Sequence, residues 1–400
     1  MPRPHRRSPS ALVTVAVQVG CQQLSACGTL STWRVDPADV SRLPTDPAQA
    51  VEAVAAPLVK DGRTPGLVVG LLLPDGTTRF FGYGTTGQGG DPPPGPDTLF
   101  AIGSLSKGML GVLTTLLVQE GRLSWDDRLA GALPPGTPLS PDAARITLEQ
   151  LATHTSGLPR QPMTVAMLTA FTGYLFTGEN FYRDLDRAAL VDYLADFEAP
   201  AENAPRYSNI GYGLLGHAVE QRTGRRLDDL LAERITGPLG LTRTGYDPGS
   251  LPGYDQRAIG HAGDQPKFIR RGAPVPDWRF TEILRGSAAL YSTARDLLAF
   301  AAAAVKGDGS PLSRAFADSL RVRYPRPREA AAVAWIVDEI GDERISYQVG
   351  IVAGYTSYLA VNPRNRTAVV VLQNAFNWDQ SVGHTLMLRL ATLPPARSGD

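Results

Sequence analysis

The chain has 400 residues, 43% of them hydrophobic, which is enough to bury a large core and a length that usually divides into two lobes. Its 39 basic and 39 acidic residues cancel, with a pI near 7, so there is no basic footprint for a nucleic-acid partner. The two cysteines, Cys21 and Cys27, both fall near the start, and His5, His154, His217, His261 and His384 are scattered. A disulfide in the body of the chain is therefore excluded, and neither a catalytic metal nor another cofactor is expected.

Arg3, Arg6 and Arg7 precede an apolar stretch over residues 11–19, too short to span a bilayer and typical of an export signal. Leu24-Ser25-Ala26-Cys27 resembles a bacterial lipobox, which would make Cys27 the lipidated first residue of an envelope-attached, periplasmic protein. Gln22 and Gln23 interrupt the hydrophobic run, and a cytosolic chain with a ragged start is the alternative. Residues 28–46 read as a linker and 394–400 as a polar tail. Between them, residues 47–60 pattern as an amphipathic helix, and 66–73 with 78–83 as a β-hairpin. The glycines that follow, Gly82 to Gly90, run into Asp91-Pro92-Pro93-Pro94 and lack the strand-to-helix setting of a dinucleotide site.

Leu99-Phe100-Ala101-Ile102 reads as a short buried strand, Gly103 as a break, and Met109 to Gln119 as an apolar helix. Ser104 and Lys107 then sit at i and i+3 on one face of the first helical turn. Only four lysines occur, against 35 arginines, and a desolvated lysine can lose its proton where an arginine cannot. A serine beside free helix N-terminal amides suits a nucleophile and its oxyanion. Alone, the pair could equally be a helix start with Ser104 as cap and Lys107 solvated.

Further motifs follow. The run Ile146 to Leu158 contains His154-Thr155-Ser156-Gly157. Arg206-Tyr207-Ser208-Asn209 opens a glycine-rich apolar helix, in which Tyr207 and Asn209 could be a packed aromatic and an N-cap. Gly237 to Leu241 and Leu290 to Leu297 come next, then Tyr347 to Leu359, a turn at Asn362-Pro363-Arg364-Asn365 and a buried strand over 367–372. Residues from about Trp378 to Leu393 pattern as a closing helix.

In order and spacing these motifs resemble the serine β-lactamase and penicillin-binding protein superfamily, closest to its class C-like branch of D-alanyl-D-alanine carboxypeptidases/endopeptidases and related esterases. The resemblance covers roughly residues 50 to 390. It implies an α/β (α+β) fold of the β-lactamase/transpeptidase type. An antiparallel sheet flanked by helices (47–103 and 281–393) would carry an inserted, mostly helical lobe (104–280), with the site in the cleft between them. It also implies that Ser104 attacks a carbonyl, that Lys107 takes its proton and that Tyr207 shares the acid/base work. Asn209 would bind the substrate's amide carbonyl and hold Lys107. The backbone N–H groups of Ser104 and Ile351 would form the oxyanion hole, and His154 would belong to a structural turn.

The third motif departs from the family pattern. Where a Lys-Thr-Gly or His-Thr-Gly triplet is expected, the chain has Gln348-Val349-Gly350. Gln348 can still donate and accept, and Gly350 still lets a substrate lie against the strand, but the charge that meets a substrate carboxylate is missing. Arg271, Arg279 and Arg285 are the candidate replacements. Two readings result: a monomeric serine hydrolase acting on D-alanyl peptides, β-lactams or small esters, or a penicillin-recognising binding or scaffold protein with weak turnover. Retention of Ser104, Lys107, Tyr207 and Asn209 together favours the first.

Overall fold

The computed structural model describes residues 35–87, 90–202 and 204–393; Cys21, Cys27 and the expected export segment lie outside them. Helix α1 (Pro47–Lys60) spans the residues expected of it, with the Asp46 side chain capping Gln49 N and Pro47 at its first turn. Strands β1 (Gly66–Leu72) and β2 (Thr78–Gly84) form the expected hairpin. The hairpin joins strands from the far end of the chain: β5 (Ala330–Ala331), β6 (Ile336–Ile340), β7 (Glu343–Val352), β8 (Tyr355–Asn362) and β9 (Thr367–Gln373). The sheet order is β2-β1-β9-β8-β7-β6-β5, antiparallel throughout.

Strands β1, β8 and β9 are buried along their whole length, which explains why Gly66 to Leu72 and Thr367 to Gln373 read as continuous apolar runs rather than alternating ones. One face carries α1 and the C-terminal helix α6 (Ser381–Ala391). That helix starts at Ser381 rather than Trp378, because Trp378 N is held by the Asp264 carboxylate and Ser381 N by Asp379. The other face packs against the helical part of the chain in a single large core.

The short strand expected at residues 99–102 forms only as β3 (Phe100–Ala101), and it pairs with β4 (Tyr291–Ser292) outside the main sheet. Helix α2 (Ser106–Gln119) follows, three residues earlier than the apolar pattern indicates, and it is buried from Ser106 to Leu117. Helix α3 (Val165–Thr177) comes next in the chain, α4 (Asn209–Thr223) packs against α2, and α5 (Ala294–Lys306) returns the chain to the sheet. The segment 241–284 is less helical than expected, with only three-residue helical turns. Its prolines and glycines, among them Pro248, Pro252, Gly253, Pro266 and Pro274, break longer helices.

Because α2 is enclosed on all sides, truncating Leu113, which is 1% exposed, should cost about 2–5 kcal/mol. Val165→Ala, at an 83% exposed position, should cost less than about 0.5 kcal/mol. Denaturant titration of the two variants checks the contrast.

Candidate active site

Ser104 lies in a single helical turn, Gly103–Leu105, that runs directly into α2. Gly103 takes φ 52°, a conformation that favours glycine. Ser106 staples the turn: its hydroxyl donates to Gly103 O at 2.6 Å and accepts from Leu290 N at 3.1 Å. Lys107 therefore falls in the first turn of a wholly buried helix and is itself only 2% exposed.

The Lys107 amine has three near neighbours: Ser104 Oγ at 3.0 Å, Asn209 Oδ1 at 2.9 Å and Ser287 O at 2.7 Å. Burial, with the Arg160 charge adding to it, holds its pKa well below the ordinary lysine value. A position at a helix N-terminus disfavours a cation as well. A neutral amine has two hydrogens and one lone pair. Asn209 Oδ1 and Ser287 O can only accept, so they take the hydrogens and leave the lone pair facing the Ser104 hydroxyl. The arrangement can move a proton from Oγ to Nζ with no group having to turn first.

Tyr207 and Asn209 reach this point from the start of α4. Ser208, not Asn209, is the N-cap: its hydroxyl accepts from Gly211 N at 2.9 Å and donates to Pro159 O at 2.7 Å. Asn209 is the first helical residue, and its amide is spent on neighbours. Oδ1 accepts from Lys107, and Nδ2 donates to Tyr182 Oη at 2.8 Å, whose hydroxyl donates to Gln161 Oε1 at 3.1 Å. Burial raises the Tyr207 phenol to about 12, opposed by its interaction with the Ser104 hydroxyl and by Arg160. Burial thus biases the amine toward the form that accepts a proton and keeps the phenol in the form that donates one.

His154 holds the Tyr207 loop. It sits at φ 62°, accepts from Ser208 N through Nδ1 at 3.1 Å, and gives its carbonyl to Arg206 N at 2.7 Å. Its ring packs 4.4 Å from that of Tyr207. Burial, with the Arg160 charge adding to it, keeps it well below the usual histidine pKa, so it is a neutral prop.

On the sheet side, β6 pairs with β7 only as far as Tyr347, leaving the edge from Gln348 to Val352 open toward the nucleophile. Gly350 fits closely there. A Cβ would collide with the Ile102 carbonyl and the Ser357 hydroxyl, which are themselves hydrogen bonded at 2.8 Å. Gly350 lines neither cavity at Ser104; what its missing side chain allows is the docking of the nucleophile turn on the strand. The Ile351 amide lies beside that turn, 3.1 Å from where a Gly103 Cβ would be. Gln348 is only 4% exposed, packs against Gly108 of α2, and has neither amide atom hydrogen bonded within the protein.

Two cavities meet at Ser104. The smaller, about 50 Å³, is lined by Lys107, Tyr207, Gln348 and Trp335; the larger, about 370 Å³, by Tyr207, Asn209, Ser287 and Ile351. None of the three expected replacement cations lines either one. Arg271 pairs with Asp264 and Arg285 with Asp228, while Arg279 is exposed. Arg326 lines the smaller cavity but pairs with Glu329, whereas Arg160 lines both cavities and sits 4.9 Å from the Tyr207 ring centre. It has no carboxylate partner among the described residues. Its place directly after Gly157-Leu158-Pro159 was a usable sequence signal. Tyr182, Gln161 and Ser287 carried none, because only the tertiary fold brings them to Lys107. Among the described residues no cluster of three or more His, Cys, Asp or Glu is placed to hold a metal ion.

A beta-lactamase family model matches residues 51–393. The chain belongs to the beta-lactamase family. It is 28% identical over 320 residues to the D-alanyl-D-alanine-carboxypeptidase/endopeptidase AmpH of Escherichia coli, covering 76% of this chain and 78% of that one. It is 29% identical over 268 residues to penicillin-binding protein 4 of Amycolatopsis lactamdurans, covering 65% and 64%. Among solved structures, a class C beta lactamase from Rhodobacter sphaeroides superposes with a TM-score of 0.70 at 25% identity over 86% of this chain and 98% of that one. The octameric penicillin-binding protein homologue from Pyrococcus abyssi shares the fold, with a TM-score of 0.73 at 21% identity over 88% and 78%.

A neutral Lys107 has a consequence for stability. Its folded pKa lies below the 10.5 of a free lysine, so between those two values the unfolded chain binds the extra proton and stability rises with pH. Lys107→Met removes that slope. Apart from a fixed cost of leaving Asn209 Oδ1 and the Ser287 carbonyl without their donor, the variant should lose stability relative to the wild type as the pH rises from 7 toward 10.5. Denaturant titrations at both pH values test this, and a wild type that weakens relative to the variant on alkalinisation would contradict a neutral amine.

Proposed function

We propose that the protein is a serine hydrolase that acts through an acyl-enzyme on Ser104, on substrates of the D-alanyl peptide, β-lactam or ester type. The observation that carries this reading is the Lys107 amine, stripped of water and held by two acceptors so that its lone pair faces Ser104 Oγ. A serine hydroxyl becomes a useful nucleophile only with such a base.

In the proposed cycle Oγ bonds to the substrate carbonyl carbon as its proton passes to Nζ. The carbonyl oxygen takes up negative charge beside the Ser104 and Ile351 N–H groups. The bond to the leaving group then breaks, and the leaving atom receives a proton from Tyr207, which Lys107 replenishes. Water gives a proton to the same pair as it bonds to the ester carbonyl carbon; the bond to Oγ then breaks, the pair returns that proton to Oγ, and the acid leaves with Ser104 restored. Asn209 acts mainly by fixing Lys107, since Tyr182 already engages its Nδ2, although the second amide hydrogen remains for a substrate carbonyl. Arg160 takes the part of the missing third-motif cation.

Ser104 should be labelled by a fluorescent penicillin or fluorophosphonate, and Ser104→Ala should abolish the label. A wild type silent to both reagents would leave the binding or scaffold reading standing. Arg160→Ala should lower kcat/KM for a substrate carrying a carboxylate about tenfold relative to an uncharged ester. An unchanged ratio in steady-state assays would remove Arg160 from anion recognition.

A further inference from the structure

Helix α3 reads VAMLTAFTGYLFT, with no charged or amide side chain along its 13 residues. A helix apolar all round is normally enclosed by protein, yet Val165, Ala166, Thr169, Gly173, Phe176 and Thr177 are exposed. The threonines add little polarity. Thr169, Thr172 and Thr177 donate their hydroxyls to Val165 O, Leu168 O and Gly173 O, one turn back in the same helix, at 2.8–3.0 Å. A loop extends the face: Phe268 N donates to Leu175 O at 3.0 Å, and the Phe268 ring stacks on that of Phe176 at 4.3 Å. Met163, Val165, Phe176 and Phe268 are 54–83% exposed and are four of the five exposed large hydrophobic residues among the described ones. Apolar exposure gathered in one place marks an interface.

The rim of this face is basic. Lys267 and Arg270 flank Phe268 in its loop, and the Arg279 carbonyl accepts from Asn180 Nδ2 just beyond the end of α3. All three cationic residues are exposed. Nearby acids are already engaged: Arg183 holds Glu179 and Asp184, Arg271 holds Asp264, and Arg257 holds Asp277. Lys267, Arg270 and Arg279 have no carboxylate partner among the described residues. Two copies meeting through this face about a two-fold axis would bring the three cations of one up to those of the other. Anionic lipid headgroups complement them instead, and the aromatic and aliphatic side chains suit the boundary between headgroups and acyl chains.

We propose that the outer face of α3, with Met163 and Phe268, rests on an anionic lipid surface, where Phe176 and Phe268 enter the acyl boundary and Lys267, Arg270 and Arg279 meet the headgroups. Lipidation of Cys27, expected from the sequence, would tether the chain to a membrane without orienting it. This face supplies the orientation. Phe171 and Tyr174 of the same helix line the larger cavity at Ser104, so a single helix separates the lipid from the cleft. The inference does not depend on the acyl-enzyme reading.

The test uses the full chain with Cys21→Ser and Cys27→Ser, which removes the native thiols and any lipid anchor. An environment-sensitive fluorophore is attached at Val165→Cys on α3 or, as control, at Ala53→Cys, an exposed position on α1 across the sheet. With vesicles of phosphatidylglycerol and phosphatidylcholine in equal parts, the label at position 165 should shift to the blue and be quenched by nitroxide-labelled acyl chains. The label at position 53 should do neither. Phe176→Ser with Phe268→Ser should weaken partitioning about tenfold or more. Lys267→Gln with Arg270→Gln and Arg279→Gln should do the same, and pure phosphatidylcholine should bind as weakly as that variant. The comparison of the two labels is decisive if a multiple variant fails to fold. A position-165 label that vesicles leave unchanged, even where sedimentation shows the protein bound through another part, overturns the proposal. Equal responses at the two positions, or equal binding to pure phosphatidylcholine, overturn it as well. So does a blue shift that grows with protein concentration in the absence of lipid, the signature of a second copy.

Discussion

The structure is arranged around one costly placement, a lysine amine with almost no access to water. Burying an ammonium is costly, so the amine is biased toward its neutral form and its hydrogens are given acceptors on two different elements, Asn209 at the start of α4 and the Ser287 carbonyl just before β4. Each acceptor is itself restrained: Asn209 by Tyr182 and Gln161, and the segment after Ser287 by Ser106, which holds Leu290 N. The consequence is local rigidity. The serine, the amine and the phenol are fixed before any substrate arrives, which is the condition for electrostatic preorganisation.

A second constraint, steric rather than electrostatic, brings the sheet to this cluster. Gly350 lets β7 approach the Ile102 carbonyl, and Gly103 lets the nucleophile turn bend next to Ile351. A side chain at Gly350 would push the strand away from Ser104 and open the site that the buried lysine closes. Thus the departure from the family pattern at Gln348 and Val349 spares the one residue of the triplet whose backbone position the site needs. Gln348 turns under α2 onto Gly108, and the cavity it lines also holds Arg160.

Much of this was legible in the sequence because it is local. Ser104 and Lys107 are one helical turn apart, Tyr207 and Asn209 are two residues apart, and the runs at Gly66–Leu72 and Thr367–Gln373 have the apolar composition of strands buried on both faces. Other features depend on chain crossing chain. Arg160 stands at the site without an acidic partner among the described residues, whereas Arg271 and Arg285 each have one. Tyr182, Gln161 and Ser287 have no spacing relation to the motifs, and three-dimensional proximity alone enlists them. Helix α2 begins earlier than its apolar pattern because Ser106 and Lys107, polar by type, are buried by their partners.

The first and last strands of the sheet interior, β1 and β9, lie side by side, and Asn374 Oδ1 accepts from Gly66 N across 308 positions of sequence. Contacts of that separation make folding slow, since the loop-closure cost comes before the pairing that offsets it. They also set an order of events during synthesis. The strand edge beside Ser104 is built by residues 348–352, so a growing chain holds its serine and lysine long before it has the wall that faces them. A reactive nucleophile therefore emerges only in a molecule that is nearly complete.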